Sequence, residues 1–258
     1  MTINQLVVLG SSSSIARILL PSIKVDCNQI FTFDRVSSNQ SRIDWIPREN
    51  QFRIDWNNAE RIKNEIGVKL SNCLTGPVLI LNFMGLFGRI ERIENLDIEE
   101  ALSVISANIL PFLLAAKISI SMPPLTRVIS FSGAGVGGDN LDDSSIGYLA
   151  AKASMGLLTE AIDRQLSSCG IRFGLISPGP FPSRMQEAVA KDLTQTIPEA
   201  RKIRAQEVMR SKPSTERLSN LVHFLAANPD ELGGRIWSAS FDELKSQVGN
   251  FGKLRRVY

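Results

Sequence analysis

The sequence predicts an α/β fold built on a doubly wound parallel sheet. Short apolar runs that end in Gly, Asp or Asn alternate along the chain with longer segments of helical periodicity. Strands of a parallel sheet are covered on both faces, and they therefore read as continuous apolar runs. A length of 258 residues suits one large domain. We expect a Rossmann-type three-layer αβα sandwich that forms a single domain over residues 1–258.

Four strands are predicted in the first half of the chain. Gln5–Leu9 is an apolar run that stops at Gly10, and the serines at 11–14 offer N-caps for the helix that follows. The other three runs cover residues 30–33, 52–55 and 78–81.

The second half continues the alternation. Helical periodicity runs over 98–120, with Pro111 inside it as an expected kink. The remaining predicted elements are a strand at Arg127–Phe131, a helix at 148–166, a strand at 171–176, irregular helices over 181–215, a helix at 217–227 and a strand at 235–239.

Composition and charge exclude several classes of function. A net charge of +3, with acids and bases interspersed, does not indicate a nucleic-acid or membrane partner. The three cysteines are isolated, and no secretory signal is recognisable, so we expect a cytoplasmic protein. No Cys/His/Asp spacing indicates a metal site, and the only histidine, His223, sits in an apolar helical stretch that favours packing.

Tyr148 and Lys152 form the most informative pair in the chain. Positions four apart lie on one face of a helix, about one turn from each other. An ammonium group close to a phenol favours the phenolate, so the phenol can accept or donate a proton near neutral pH. Such a pair can serve as the general acid/base of an alcohol–carbonyl interconversion.

The first strand–turn–helix suggests a nucleotide site. The turn from Gly10 through 11–14 can place a pyrophosphate against the backbone N–H groups of a helix N-terminus. Asp34 follows the second strand, where its carboxylate can accept hydrogen bonds from both hydroxyls of an adenosine ribose. That carboxylate would repel a 2′-phosphate and favours NAD, although Arg35 beside it could instead pair with the phosphate of NADP.

Together these motifs make the chain resemble the short-chain dehydrogenases/reductases over nearly its whole length. The glycine motif of that family falls on residues 9–16, its N-N-A-G motif on 82–85 and its helical asparagine on Asn108. The Tyr/Lys pair and the P-G motif at Pro178 and Gly179 follow in the same order.

The resemblance implies a hydride transfer between nicotinamide and a secondary alcohol or ketone. Tyr148 would exchange the proton, Lys152 would hold the nicotinamide ribose, and Asn108 would anchor a water that reaches Lys152. Asp55 would lie near the adenine, and Ser183 near the nicotinamide carboxamide. The implied cofactor contacts are Gly10, Ser12, Ser13, Ser14, Ile15, Asp34, Arg35, Asp55, Asn82, Gly85, Tyr148, Lys152, Pro178, Gly179 and Ser183.

Two departures from the family pattern stand out. Ser14 and Ala16 replace two of the three motif glycines. The usual position of the catalytic serine falls on Gly133, one residue after Ser132. Ser132 is the candidate for contacting the substrate carbonyl, with Ser130 and a site that has no serine as the alternatives.

The segment 181–217 is predicted to be a helical substrate lid. Its basic residues outnumber its acidic ones, which suggests an anionic substrate, with Arg184 as the contact to a phosphate or carboxylate. A stretch at 234–239 resembles the C-terminal strand of family members associated with bacterial surface-polysaccharide synthesis. A nucleotide-linked or phosphorylated sugar is therefore the expected substrate.

Two further expectations concern assembly and activity. The helices that carry Asn108 and Tyr148 have apolar residues beyond one core stripe, which predicts a homodimer or homotetramer. The rival to an oxidoreductase is a non-catalytic dinucleotide-binding or scaffold protein that kept the fold. The altered glycine motif favours that rival, and the intact Tyr148 and Lys152 favour the enzyme.

Overall fold

The structure, a computed structural model, describes residues 4–23, 27–35, 43–54, 59–70, 73–133, 145–192, 197–211 and 215–239. Its strands are β1 (Gln5–Leu9), β2 (Gln29–Arg35), β3 (Gln51–Ile54), β4 (Val78–Asn82), β5 (Arg127–Phe131), β6 (Arg172–Ser177) and β7 (Ile236–Ser238). They form one sheet in the order β3-β2-β1-β4-β5-β6-β7, and every neighbouring pair is parallel.

Helices cover both faces of the sheet. In chain order they are α1 (Ser14–Ile23), α2 (Ala59–Leu70), α3 (Ile98–Ser119), α4 (Ile146–Leu166), α5 (Arg184–Ala190), α6 (Glu199–Arg210), α7 (Glu216–Ala227) and α8 (Pro229–Leu232). One apolar core joins the sheet to α1 and α7, and a second joins it to α2, α3 and α4. The predicted doubly wound three-layer sandwich is confirmed.

The observed elements follow the predicted ones closely. β1 and β5 have the predicted limits, and β2 and β4 extend a residue or two further. α3 runs through the buried Pro111 as one helix. α2 is an addition to the predicted pattern, and its buried Ile62, Ile66 and Leu70 recur at the spacing of an amphipathic helix.

The strand order reverses at β1, which lies between β2 and β4. Leu9, the last residue of β1, is in register with Phe33 on one side and with Asn82 on the other. The carboxyl ends of the three strands therefore meet at one edge of the sheet. Ligands of open α/β sheets bind at such a reversal.

α3 has the length and apolar composition that a membrane span would need, and it is the one helix of the described residues that does. Such a helix alone is weak evidence, because core helices of soluble proteins pass the same test. α3 buries Phe112, Ala115 and Ile118 in the core beneath the sheet.

Candidate active site

The turn after β1 requires a glycine at position 10. Gly10 has a φ of +81°, a left-handed conformation that L-residues rarely adopt. Its N–H donates to the carbonyl of Phe33 at 2.8 Å, which ties the turn to the end of β2. A Cβ at this position would lie 2.7 Å from Cγ of Met84. Gly10 therefore keeps the turn tight where β1, β2 and the segment after β4 meet.

The start of α1 offers backbone donors. The Ser13 hydroxyl accepts from the N–H of Ala16 at 3.1 Å, and the Ser13 carbonyl accepts from Arg17 N–H at 3.1 Å. The N–H groups of Ser14 and Ile15 belong to the first turn and have no acceptor within the helix. Donors of this kind, together with the helix dipole, favour an anionic group.

Asp34 holds this turn from the end of β2. Its carboxylate accepts from the Ser12 N–H at 2.8 Å and from the Ser11 hydroxyl. The residue is only 6% exposed. Arg35 follows with an exposed side chain, so both of the residues expected to decide between NAD and NADP lie beside the turn. Asp55, expected near the adenine, lies outside the described residues.

Asn82 and Asn108 organise the end of β4. The buried Asn82 amide donates to Ser130 Oγ and to the Pro111 carbonyl, both at 3.3 Å, and its Oδ1 accepts from Met84 N–H at 3.1 Å. Asn108, which is 0% exposed, donates to the carbonyls of Leu86 and Val104 at 2.7 and 2.8 Å. These bonds fix the loop after β4 against α3.

Asn108 and Lys152 face the same small space beside Gly85. A Cβ on Gly85 would lie 2.6 Å from Asn108 Oδ1 and 3.6 Å from Lys152 Nζ. Asn108 Oδ1 is buried and accepts no hydrogen bond within the described part of the chain. An oxygen acceptor and an ammonium donor across this space fit a bridging water.

Lys152 is a buried cation beside Tyr148. Its side chain is 4% exposed, its Nζ donates to the Phe131 carbonyl at 3.1 Å, and Nζ lies 5.4 Å from the centre of the Tyr148 ring. Burial lowers the pKa of Lys152 to about 8, because a charged ammonium loses its hydration there. The helical spacing has thus placed the two groups as the sequence predicted, on one face of α4.

Gly133, rather than a serine, faces the tyrosine hydroxyl. A Cβ on Gly133 would lie 2.0 Å from Tyr148 Oη, so a side chain there would displace the phenol. Ser130 is 0% exposed and is bonded to Asn82, while the hydroxyl of Ser132 is buried with no hydrogen-bond partner in the described ranges. This geometry leaves Gly133 at the phenol and Ser130 engaged by Asn82. Ser132 therefore stays the predicted contact to the substrate carbonyl, since its buried hydroxyl is open to a partner.

The segment after β6 carries the P-G motif and leads into α5. Pro178 is buried, and Gly179 has a φ of +83°. Ser183 caps α5 by accepting from Gln186 N–H at 3.3 Å. Arg184 is exposed at the first turn of α5.

An aromatic contact that the sequence did not single out links Tyr148 to the segment after β6. The Phe87 ring meets the Tyr148 ring edge-to-face, with centroids 5.2 Å apart. Phe87 also packs on a small core formed by Val189, Ile197 and Ala205, in and between α5 and α6. The sequence signal that could have indicated a role for Phe87 is its position in the loop that follows β4, five residues after Asn82. A sequence pattern alone does not show which loop residue turns toward the tyrosine.

Comparison with known proteins identifies the fold. No family model matches the chain, and no curated protein matches its sequence. Solved structures match it closely. A short-chain dehydrogenase from Leptospira borgpetersenii with bound NAD⁺ aligns over 93% of this chain and 92% of its own, at 18% identity and a TM-score of 0.70.

Two further structures agree. The ligand-free aldohexose dehydrogenase of Thermoplasma acidophilum covers 95% of this chain and 96% of its own, at 16% identity and a TM-score of 0.70. A dehydrogenase/reductase from Sinorhizobium meliloti covers 92% and 94%, at 16% identity and a TM-score of 0.67. The chain has the fold of the short-chain dehydrogenases/reductases, as the sequence resemblance implied.

Proposed function

We propose that this protein is an NAD(P)-dependent oxidoreductase of the short-chain dehydrogenase/reductase type, acting on a secondary alcohol or ketone. The observation that carries the proposal is Lys152, a fully buried cation 5.4 Å from the Tyr148 ring. Burying an ammonium opposes folding, and a scaffold needs none at this place. A proton-transfer site needs both residues.

The residues around the reversal point fit a dinucleotide. The Ser14 and Ile15 N–H groups suit a pyrophosphate, the Asp34 carboxylate suits the adenosine ribose, and Lys152 is the proposed partner of the nicotinamide ribose. When bound, the nicotinamide would supply or accept the hydride. The protein's part is to orient it and to handle the proton. Pro178, Gly179 and Ser183 are proposed to contact the nicotinamide half of the cofactor, as the family resemblance implies.

The proton would move at Tyr148 Oη. A protonated Lys152 stabilises the phenolate form of Tyr148, and Asn108 Oδ1 supplies the acceptor for a water that would connect Lys152 to solvent. Gly133 leaves the phenol room to approach a substrate oxygen. In this scheme Tyr148 contacts that oxygen, and Ser132, whose buried hydroxyl has no partner in the described residues, is the second candidate contact.

The rival function is a non-catalytic dinucleotide-binding or scaffold protein. The replacement of the family serine by Gly133 and the Ser14 substitution favour it. Turnover and nucleotide binding separate the two, because a scaffold that binds NAD would show affinity without NADH formation with any alcohol.

The substrate is proposed to be a sugar, nucleotide-linked or phosphorylated, beneath a lid formed by 181–217. The support is the basic surplus of that segment and the packing of Val189, Ile197 and Ala205 against Phe87. Arg184 is exposed at the start of α5, where it is available to an anionic group. Cys27, Cys73 and Cys169 are free thiols, which suits the proposed cytoplasmic location.

The cofactor is expected to be NAD(H). The Asp34 carboxylate already accepts two hydrogen bonds from the turn, and a 2′-phosphate beside it would add unfavourable negative charge. Titration of protein fluorescence with NADH and NADPH measures the preference, and Asp34→Asn should shift it toward NADPH by about tenfold. Arg35→Ala is the matched variant. If the wild type binds NADPH more tightly and Arg35→Ala abolishes that preference, the arginine decides and the prediction is wrong.

A homodimer or homotetramer is proposed through α3 and α4. Leu102, Leu113 and Leu157 on these helices are 59%, 42% and 52% exposed, which leaves apolar surface in water. Light scattering at micromolar concentration should give at least twice the monomer mass, and Leu157→Asp should lower it. Val68→Asp, on the exposed face of α2, is the control that should change nothing. A monomeric wild type would contradict the proposal.

A further inference from the structure

A pocket opens beside Tyr148 on the side of α3. It is lined by the loop after β4, the first half of α3 and the start of α4, with Phe87, Arg89, Glu100, Ser145 and Tyr148 among its walls. Close helix packing brings these groups together, because a Cβ on Gly147 would lie only 2.8 Å from the Ala101 carbonyl. The glycine thus lets the start of α4 approach α3.

Ser145 contributes a buried hydroxyl that the protein leaves without a partner. The residue is 2% exposed, and its Oγ makes no hydrogen bond within the described ranges. Ser145 is the N-cap residue of α4, yet its side chain accepts no bond from the helix. A buried hydroxyl without a bond costs free energy, so its presence in a pocket wall indicates a ligand partner.

A carboxylate stands on the same wall. Glu100 Oε2 is buried and lies 2.8 Å from Arg89 Nε, as an ion pair outside hydrogen-bond geometry. The guanidinium balances the charge of the carboxylate and is itself 69% exposed. Glu91 also lines the pocket, so its walls carry two carboxylates against the single guanidinium of Arg89. The surplus negative charge disfavours an anion, and the carboxylate oxygens offer acceptors to a hydroxyl group.

We propose that this pocket receives one hydroxyl group of the substrate, adjacent to the carbon that is oxidised, and that Ser145 and Glu100 bond this hydroxyl. Tyr148 lines the same pocket, so a carbinol at its phenol would place the neighbouring hydroxyl against this wall. The inference rests on the proposed function for the identity of the reacting carbon. The recognition of a second hydroxyl rests on the buried Ser145 Oγ and Glu100 Oε2.

A pair of ring-matched probes tests the proposal. trans-1,2-Cyclohexanediol and cyclohexanol differ by one hydroxyl next to the carbinol. Binding of each to the protein with NAD is measured by ligand-observed saturation-transfer NMR, and NADH formation is followed separately by absorbance. The wild type should bind the diol about tenfold more tightly, and Ser145→Ala and Glu100→Gln should each remove most of that advantage.

The controls separate recognition from folding and from catalysis. Ser154→Ala removes a hydroxyl from the same helix, one that bonds the Ala150 carbonyl at 2.7 Å and does not line the pocket, and it should leave both affinities unchanged. Equal binding of the two probes by the wild type, or an unchanged diol preference in Ser145→Ala, would overturn the proposal. Diol binding that depends on Ser145 would uphold the pocket whether or not NADH forms, so the pocket and the proposed oxidoreductase can fail independently.

Discussion

Replacing Tyr148 with phenylalanine is expected to lower turnover by about 10²- to 10⁴-fold and to leave NAD affinity nearly unchanged. The substitution removes only the hydroxyl that exchanges the proton. The ring keeps its edge-to-face contact with Phe87, 5.2 Å between centroids, and gains no atom that could collide with Gly133. The rate of NADH formation and the Kd for NAD, measured on the same preparation, test the two halves of this expectation.

The chain supplies its own control for this experiment. It contains two tyrosines, so Tyr258→Phe changes the other phenol and should behave as the wild type does. Near-normal turnover by Tyr148→Phe would contradict the mechanism. NAD binding by a wild type that turns over no alcohol or ketone would favour the scaffold function instead.

The fold was predictable because its signals are local. β1 and β4 are nearly continuous apolar runs, and β1 and β5 begin and end at the predicted residues. The pairing of Tyr148 with Lys152 is equally local, since both lie on one helix. The spacing of Ile62, Ile66 and Leu70 is an equally local signal, and it is typical of the amphipathic helix that α2 forms.

The shape of the site was not predictable, because it depends on contacts between distant segments. The sequence placed the family serine on Gly133 but could not show that the side-chain direction there points at Tyr148 Oη. The sequence patterns single out neither Ser145, the N-cap residue of α4, nor Glu100, which lies in the first turn of α3. Only the close approach of α3 and α4 reveals that both oxygens line one pocket.

Replacing Lys152 with methionine is expected to abolish activity, to weaken NAD binding and yet to stabilise the protein at pH 7. Burial lowers the pKa of Lys152 from 10.5 to about 8. Below pH 8 both the folded and the unfolded states are protonated, and the folded state bears the full cost of burying the ammonium. Between pH 8 and 10.5 the unfolded state binds more protons, so stability rises with pH in that window. The cost at pH 7 is on the order of 3 kcal/mol.

Methionine fills a similar volume without a charge, although the Phe131 carbonyl loses its bond from Nζ. A net gain of about 1–2 kcal/mol corresponds to a Tm higher by roughly 2–8 °C at pH 7. Thermal unfolding at pH 7 and pH 10 should show the gap between variant and wild type shrinking at the higher pH, where the wild-type lysine is neutral. Lys117→Met, at an exposed position on α3, should give a gap that does not change with pH. If the Lys152→Met gap were equally constant, the buried ammonium, and with it the strongest argument for a proton-transfer site, would be refuted.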